Sequence, residues 1–297
     1  MMKTREIQNS RIKATRAEKV YQLITGGILF VLLVCCAYPL IYVLGASFMT
    51  EAEWIERQGV FLFPHHPTLE AYKEVLSQPD LYKAIGVSAL RTIVGPLCAT
   101  FCNMIFGYAL TIKDFWGKRT LSFLVFFTMV FGGGTIPAYL IRDYTGLLDN
   151  FLVYVIPGLL SGWTALLFKQ TFLGTPDSLG AAPKIDGASE FEIFTKIMVP
   201  CSKATIAVMI FMAMVGAWNS WFDSFLYISS NNTALIPLQL YLKNYFSFNS
   251  TSGTAAIMNA EAKKMVVAVV GIMPIMVTYP FFLKHFTKGV YLGAVKE

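Results

Sequence analysis

Six apolar runs, each long enough to cross a lipid bilayer, limit what this chain can fold into. A helix needs about 20 consecutive and mainly apolar residues to cross the hydrocarbon layer. Runs of this length cover residues 21–48, 84–111, 121–141, 151–172, 204–229 and 265–283. Because a chain in lipid must satisfy its own backbone hydrogen bonds, such runs favour helices. The sequence therefore predicts an all-α membrane protein with six transmembrane helices.

The charged residues indicate how the spans are oriented. Only 14% of the residues are charged and 55% are hydrophobic, and the net charge is +6. The basic residues lie beside apolar runs and form no patch with interleaved aromatics, so we expect no nucleic-acid partner. Segment 1–20 and hairpin 113–119 are basic, whereas segment 50–83 is mostly acidic. Since cytoplasmic loops are enriched in Lys and Arg, the pattern predicts that both termini are cytoplasmic.

One long polar segment, residues 175–203, interrupts the apolar sequence between the fourth and fifth runs. Thr175 can cap a first short helix that begins at Pro176. Ser189 and Glu192 have the spacing of a capping box for a second helix, and Pro200 should end it. The apolar positions expected on one face of that helix are Phe191, Phe194, Ile197 and Met198. So ordered a loop favours a docking partner, the alternative being a helix that lies on the bilayer surface.

This loop resembles the cytoplasmic signature of permease subunits of binding-protein-dependent ABC importers. The signature reads E-A-A, three residues, G, nine residues, I-x-L-P, and the matching positions here are Ala181, Ala182, Gly187, Ile197 and Pro200. Two departures stand out, because Ala181 replaces the usual Glu and Pro183 lies inside the first short helix. The core sequence K-I-D-G-A-S at residues 184–189 is typical of the sugar-importer branch.

Three other places carry the same resemblance, in the same order along the chain. Residues 133–137 resemble the G-G-x-I-P segment of sugar-importer permeases, and residues 217–219 resemble the A-W-N pattern of the fifth span. The tail at 286–297 resembles the ending F-x-K-G-x-x-x-G-A-V-K-G, with Glu297 in place of the last glycine. The chain is thus similar to this family over nearly its whole length.

The resemblance implies a type I ABC importer permease fold with a cytoplasmic coupling helix, located in a bacterial cell (inner) membrane. The implied partners are ABC ATPase subunits, a second and different permease subunit, an external solute-binding protein and the lipid bilayer. The implied substrate is a carbohydrate, specifically an oligosaccharide. The subunit itself is expected to be non-catalytic and to bind no cofactor, because ATP and Mg are used by the ATPase partner.

The resemblance also assigns roles to residues in the loop. Contact with the ATPase is implied for Ala181, Ala182, Lys184, Ile185, Asp186, Gly187, Ala188, Phe191, Ile197 and Pro200. A short helix at 176–185 would occupy a groove on the ATPase, and a corner at Asp186 and Gly187 would transmit force. Because Ala181 lacks the usual carboxylate, the grip on the ATPase should be weaker than that of the partner permease.

A second group of candidate residues lies in the external half of the fifth apolar run. A carboxylate inside a span is costly and usually faces a cavity or a charged partner. Aromatic rings beside Asn and Asp suit a sugar, whose C–H faces stack on rings and whose hydroxyls need polar partners. The residues predicted to line the substrate pathway are Trp218, Asn219, Trp221, Asp223 and Tyr227. An interfacial aromatic belt explains the same pattern.

Several kinds of chemistry find no motif in the sequence. No G-x-x-x-x-G-K-[ST] segment occurs, so an ATPase partner is required. Cys98 and Cys102 share a helix face, and His65 adjoins His66. We interpret the first pair as packing and the second as a solvated turn, and we predict no metal site. The remaining alternatives are a permease for a non-sugar solute and a secondary transporter, which only Asp223 favours.

The domain organisation expected from these observations is simple. A basic cytoplasmic segment at 1–20 precedes a six-span permease domain at 21–287, which contains the coupling loop 175–203. A cytoplasmic tail at 288–297 follows.

Overall fold

The computed structural model describes residues 15–57, 63–176, 187–249 and 261–294, and every regular element in those ranges is helical. The α-helices are α1 (Arg16–Ser47), α2 (Glu51–Glu56), α3 (Glu70–Leu76), α4 (Pro79–Ala109), α5 (Lys118–Val130), α6 (Thr135–Tyr144), α7 (Gly162–Leu173), α8 (Glu190–Cys201), α9 (Lys203–Asn219), α10 (Phe222–Tyr227), α11 (Leu238–Asn249) and α12 (Glu261–Ala294). Short 3-10 turns lie at Phe151–Tyr154, Ile156–Gly158 and Thr233–Leu235.

The elements long and apolar enough to cross a membrane agree with six predicted spans if bent pairs are counted as single spans. Three single helices qualify, namely α1, α4 and the Glu261–Pro280 part of α12. Three bent pairs also qualify: α5 with α6 at 118°, residues Phe151–Gly158 with α7 at 47°, and α8 with α9 at 79°. The described chain is therefore a multi-pass membrane protein whose spans are partly broken.

The third apolar run is broken at its glycine cluster, in the segment 133–137 that resembles G-G-x-I-P. Gly134 has a φ of +83°, a conformation that glycine adopts at little cost. The chain turns through 118° there, so α6 does not continue along the direction of α5. The span predicted over 121–141 is therefore a bent pair of helices, α5 and α6, that changes direction after Val130.

The fifth run is also broken, where the sequence predicted one span over 204–229. Helix α9 ends at Asn219 and Ser220 is extended, with a ψ of 127°. The Asp223 carboxylate accepts hydrogen bonds from the Ser220 hydroxyl at 2.7 Å and from the Ser224 N–H at 2.9 Å. Such local side-chain bonds compete with helical backbone bonds, which explains the interruption.

The polar segment between the fifth and sixth apolar runs, for which the sequence named no helix, contains α11. Its first turns place Leu238, Leu240 and Leu242 in the core. The Leu238 N–H donates to the Ser88 hydroxyl on α4 at 2.7 Å. Because many Asn, Ser and Thr residues flank α11, the sequence carries no clear signal for a buried helix here.

Helix α4 is the central element, and it packs against α7, α9 and α11. Gly107 permits the closest approach, because a Cβ there would lie 2.8 Å from the Ala165 carbonyl oxygen and 2.9 Å from the Phe168 Cβ. Nearby, the Asn103 amide donates to the Leu159 carbonyl at 2.9 Å and accepts the Ser161 N–H at 2.9 Å. Asn103 thereby satisfies backbone groups that the break before α7 leaves without helical partners.

The bundle has two ends, each with its own cluster of buried side chains. At the first, called the Gly187 end, α4 and α7 finish and α8 packs against them. At the second, called the Asp223 end, α3, α11 and the beginning of α12 surround a buried cluster that includes Val75, Leu81 and Val267. Along most of α1 the large apolar side chains are exposed, as a helix that faces lipid or another subunit requires.

Candidate functional site

The predicted coupling loop is described from Gly187 onward. Gly187 is exposed with a φ of +83°, and no atom lies within 4 Å of where a Cβ would be. A side chain there would be disfavoured by the backbone conformation and not by crowding. Five of the predicted contact residues lie outside the described residues: Ala181, Ala182, Lys184, Ile185 and Asp186.

The capping box predicted from the sequence begins α8. The Ser189 hydroxyl accepts the Glu192 N–H at 3.3 Å, and the Glu192 carboxylate accepts the Ser189 N–H at 3.1 Å. Lys196, one turn further on, donates to the Glu192 carboxylate at 2.9 Å. The start of α8 is therefore fixed directly after the left-handed residue Gly187.

The buried face of α8 differs from the predicted one at one position. Phe191 is 70% exposed, whereas Ile193 is 3% exposed and Phe194 is 4% exposed. Ile197 and Met198 are partly buried beside them, as predicted. The prediction that Phe191 belongs to this face is wrong, and Ile193 takes its place because it faces the cluster at the ends of α4 and α7. The exposed ring of Phe191 is left available to a partner.

The sequence predicted that Pro200 ends the second helix of the loop. In the structure Pro200 lies within the last turn of α8, which continues to Cys201. A π-helical turn at Phe194–Met198 precedes it. Such a turn shifts the backbone hydrogen-bond pattern just before a residue that has no N–H to donate. The change of direction follows at Ser202, where α9 begins at 79° to α8.

Polar and aromatic contacts attach α8 to α4. The Tyr108 hydroxyl donates to the Glu190 carboxylate at 2.7 Å, and the ring centroids of Tyr108 and Phe194 are 5.2 Å apart. Phe172 of α7 packs edge-on to Tyr108 at 5.9 Å. Because interiors are close-packed and transmit strain, a displacement of α8 must carry the ends of α4 and α7 with it.

At the other end, Asp223 lies in a charged network with Arg91 of α4. Arg91 is 4% exposed, and its guanidinium donates to the Asp223 carboxylate at 2.7 Å and to the Ser224 hydroxyl at 2.9 Å. The guanidinium also lies 4.4 Å from the ring centroid of Tyr154. Asp223 is therefore bound to α4 and not held free for substrate.

Two more of the predicted pathway residues pack inside the bundle. Trp218 is buried and donates its indole N–H to the Gly271 carbonyl at 3.0 Å, which joins α9 to α12. Tyr227 is buried, its ring stacks on Tyr139 at 6.1 Å, and the Arg142 guanidinium lies over it at 4.5 Å. Both side chains hold elements together in this conformation.

Asn219 and Trp221 have a different environment, since both are exposed and line a pocket of about 390 Å³. The structure therefore does not bring the five predicted residues to one cavity. It brings Asn219 and Trp221 together with Gln239 and Lys243 of α11.

Sequence reasoning missed Arg91 and Lys243. Arg91 had a usable signal, because a charge inside an apolar run needs an opposite charge inside another. Lys243 lies in a segment without a recognisable span, so no comparable signal marked it.

The adjacent histidines serve a backbone role. The N–H groups of His65 and His66 both donate to the Glu53 carboxylate, at 2.7 and 3.2 Å. These bonds, that of His65 above all, hold the pKa of Glu53 below its usual range, because they stabilise the ionised form. Within the described ranges no three His, Cys, Asp or Glu side chains form a group that could hold a metal ion.

Comparison with known proteins identifies relatives over nearly the whole chain, although no protein-family model matches it. The chain is 36% identical to Protein LplC of Bacillus subtilis (strain 168), across 87% of this chain and 88% of that protein. It is 33% identical to the polygalacturonan/rhamnogalacturonan transport system permease protein YtcP of the same organism, across 94% of this chain and 99% of that protein.

The fold also matches a solved structure. A chain of a bacterial ABC transporter involved in the import of the acidic polysaccharide alginate superposes with a TM-score of 0.82. The match covers 92% of this chain and 99% of that chain at 24% sequence identity.

Proposed function

Because the chain belongs to the permease subunits of ABC transport systems for sugars, we propose that it is one of two membrane-spanning subunits through which an ATP-driven importer moves an oligosaccharide. The chain is a non-catalytic transport component. A separate ATPase subunit uses ATP and Mg, and an external binding protein delivers the sugar. The second permease is a related but different chain.

The observation that carries this proposal is the packed path from Gly187 into the centre of the bundle. Gly187 and Phe191 are exposed at one end, while Ile193 and Phe194, beside them in sequence, are buried against α4 and α7. An ATPase that moves the loop would therefore rotate the core helices, which is the rigid-body type of transition. The path supports a coupling role for the loop.

Charge supports the orientation that this role needs. The Gly187 end also carries the basic hairpin between α4 and α5, with Lys113, Lys118 and Arg119. Lys118 donates to the Thr111 and Ile112 carbonyls, both at 3.3 Å, so the hairpin is fixed at the end of α4. A basic hairpin favours the cytoplasmic side, where an ATPase is found.

The oligosaccharide substrate rests on the relatives and on the open pocket. YtcP is named for polygalacturonan and rhamnogalacturonan, both built of sugar residues. Asn219 and Trp221 provide an amide and an exposed ring at the Asp223 end. Asp223 no longer favours a secondary transporter, because Arg91 neutralises it.

The proposal is tested by ATPase activity of the co-purified complex in nanodiscs. The binding protein is added empty or loaded with trigalacturonate or maltotriose. Gly187→Pro is the informative variant, because proline fixes φ near −65° and Gly187 has a φ of +83°. Gly117→Pro is the matched control, since Gly117 has a φ of +78° and also has open space around it. Gly187→Asn should be tolerated, because Asn adopts left-handed conformations more readily than most residues.

We expect the loaded binding protein to stimulate the wild type, Gly117→Pro and Gly187→Asn, but not Gly187→Pro, in complexes that all assemble. Equal loss in both proline variants would count against a coupling role for the loop. If no ATPase co-purifies, the importer proposal itself is wrong.

A further inference from the structure

The pocket at the Asp223 end combines one cation with flat aromatic surfaces and two amides. It lies between α9, α11 and α12 and has a volume of about 390 Å³. Its polar side chains are Asn219, Gln239 and Lys243, and Trp221 provides an exposed ring. Of the ten described residues that line it, Lys243 alone is charged. Amides beside a ring resemble the lining that sugars need.

Lys243 is a cation placed on aromatic rings with no acidic partner among the described residues around it. Its ammonium nitrogen lies 4.2 Å from the centroid of Trp221 and 3.7 Å from that of Phe225. Two carboxylates at this end of the bundle already have other cations, since Asp223 pairs with Arg91 and Glu74 with Lys263. The three donors of an ammonium can form no ordinary hydrogen bond to a ring face. Lys243 is thus a positive charge held ready for an anion.

We propose that this pocket binds a sugar residue that carries a carboxylate, with Lys243 as its counter-ion. The inference rests on the proposed function and names the substrate class. A charge-assisted hydrogen bond to a carboxylate is stronger than contact with a ring, so the ligand would draw the ammonium away from Trp221. The uncovered ring could then stack on the pyranose, while Asn219 and Gln239 bond to its hydroxyls.

The geometry explains why a neutral sugar would bind this pocket less well. A neutral ring would leave the ammonium over Trp221, where it covers the face that stacking requires. A carboxylate both pays for the movement of Lys243 and gains the stacking surface. Discrimination by charge therefore follows from the position of one side chain.

The test is uptake by proteoliposomes that contain the full complex with its binding protein. The probes are trigalacturonate and the same trimer after reduction of its carboxyl groups, which makes it neutral. The variants are Lys243→Met, which removes the cation, and Lys243→Arg, which keeps it. Lys73→Met is the matched control, because Lys73 is an exposed lysine on α3 at the same end. ATPase stimulation by the loaded binding protein is measured in parallel for every variant.

We expect Lys243→Met to lower uptake of trigalacturonate by about 10- to 100-fold, the range typical for loss of a hydrogen bond to a charged group. Lys243→Arg and Lys73→Met should stay near the wild type, and ATPase stimulation should persist in all three. Wild-type uptake of trigalacturonate by Lys243→Met would overturn the inference. Loss of ATPase stimulation in both Lys243→Met and Lys243→Arg would also overturn it. So would a complex whose ATPase responds but which transports only the neutral trimer or neither trimer. A complex without any ATPase response would instead overturn the proposed function, and this inference with it.

Discussion

A charged pair inside an apolar bundle is stable only while both partners are present. Arg91 of α4 is almost fully buried and binds Asp223 and Ser224, both of α10. Arg91→Met would leave the Asp223 carboxylate without its countercharge, so we expect the free energy of unfolding to fall by about 3 kcal/mol. The measurement is thermal unfolding of the purified protein in nanodiscs.

The double variant Arg91→Met/Asp223→Asn should recover part of that loss, because neither charge is then left unpaired. The control is Lys83→Met, whose exposed pair with Asp80 should contribute less than about 1 kcal/mol. The single variant Asp223→Asn completes the comparison. If the double variant loses as much free energy of unfolding as the two single variants together, the pair does not carry the stabilisation assigned to it.

Two glycines on α4 should respond in opposite ways to the same substitution. A Cβ at Gly107 would lie 2.8 Å from the backbone oxygen of Ala165 on α7, so Gly107→Ala should destabilise by about 1–3 kcal/mol through overpacking. Gly86 has nothing within 4 Å, and Gly86→Ala should stabilise by up to about 1 kcal/mol through helix propensity. Denaturant unfolding of the two variants measures both effects. Equal shifts would show that α4 and α7 do not approach as closely as described.

Among the elements, those set by local sequence were predictable and those set by distant partners were not. The Ser189 and Glu192 capping box joins residues three apart, and its pattern is visible in the sequence. The bond between Arg91 and Asp223 joins residues 132 apart, and only the rule that buried charges pair suggested that such a partner exists. Helix α11 was missed because its buried leucines lie among polar residues, and burial there is decided by α4 and α12.

The site divides along the same line. The left-handed turn at Gly187 and the entry into α8 follow from residue types that favour turns and caps. The exposure of Phe191 depends on which side of α8 faces α4 and α7. The helix is too short for the spacing of its apolar residues to determine that side. The position of Lys243 beside Trp221 and Phe225 is set by tertiary packing, so no local sequence pattern predicted it.

The turn after α2 should open in acid. Glu53 binds the backbone of His65 and His66, and its pKa is lowered in the folded state. A lowered pKa means that this bond stabilises the fold above the usual glutamate pKa of about 4.3 and that the contribution is lost as pH falls through the folded pKa. Hydrogen exchange at residues 63–66 should therefore accelerate below about pH 4, relative to the intrinsic rate.

The matched variant is Glu53→Gln, which keeps the shape of the side chain but cannot ionise. In this variant the exchange of residues 63–66 should be faster at neutral pH and should lose its acid transition. Retention of the same transition would assign it to another group.

At the scale of the whole molecule, the fold has two ends that a bilayer must separate. Trp116 is 93% exposed in the hairpin at the Gly187 end, and Tyr144 is 95% exposed at the end of α6. Helix α6 lies at the Asp223 end, because the ring of Tyr139 stacks on Tyr227. The proposed orientation therefore places position 116 in the cytoplasm and position 144 outside.

Single cysteines at these two positions test the orientation directly, in a variant whose five native cysteines are replaced by serine or alanine. We expect a membrane-impermeant maleimide to label Tyr144→Cys in intact cells and Trp116→Cys only after permeabilisation. The two sites are matched in exposure, so a difference in labelling reports the side of the membrane and not accessibility within the fold. The reverse pattern would place Gly187 outside, where no ATPase could reach it, and the coupling role would have to be given up even though the helical architecture stands.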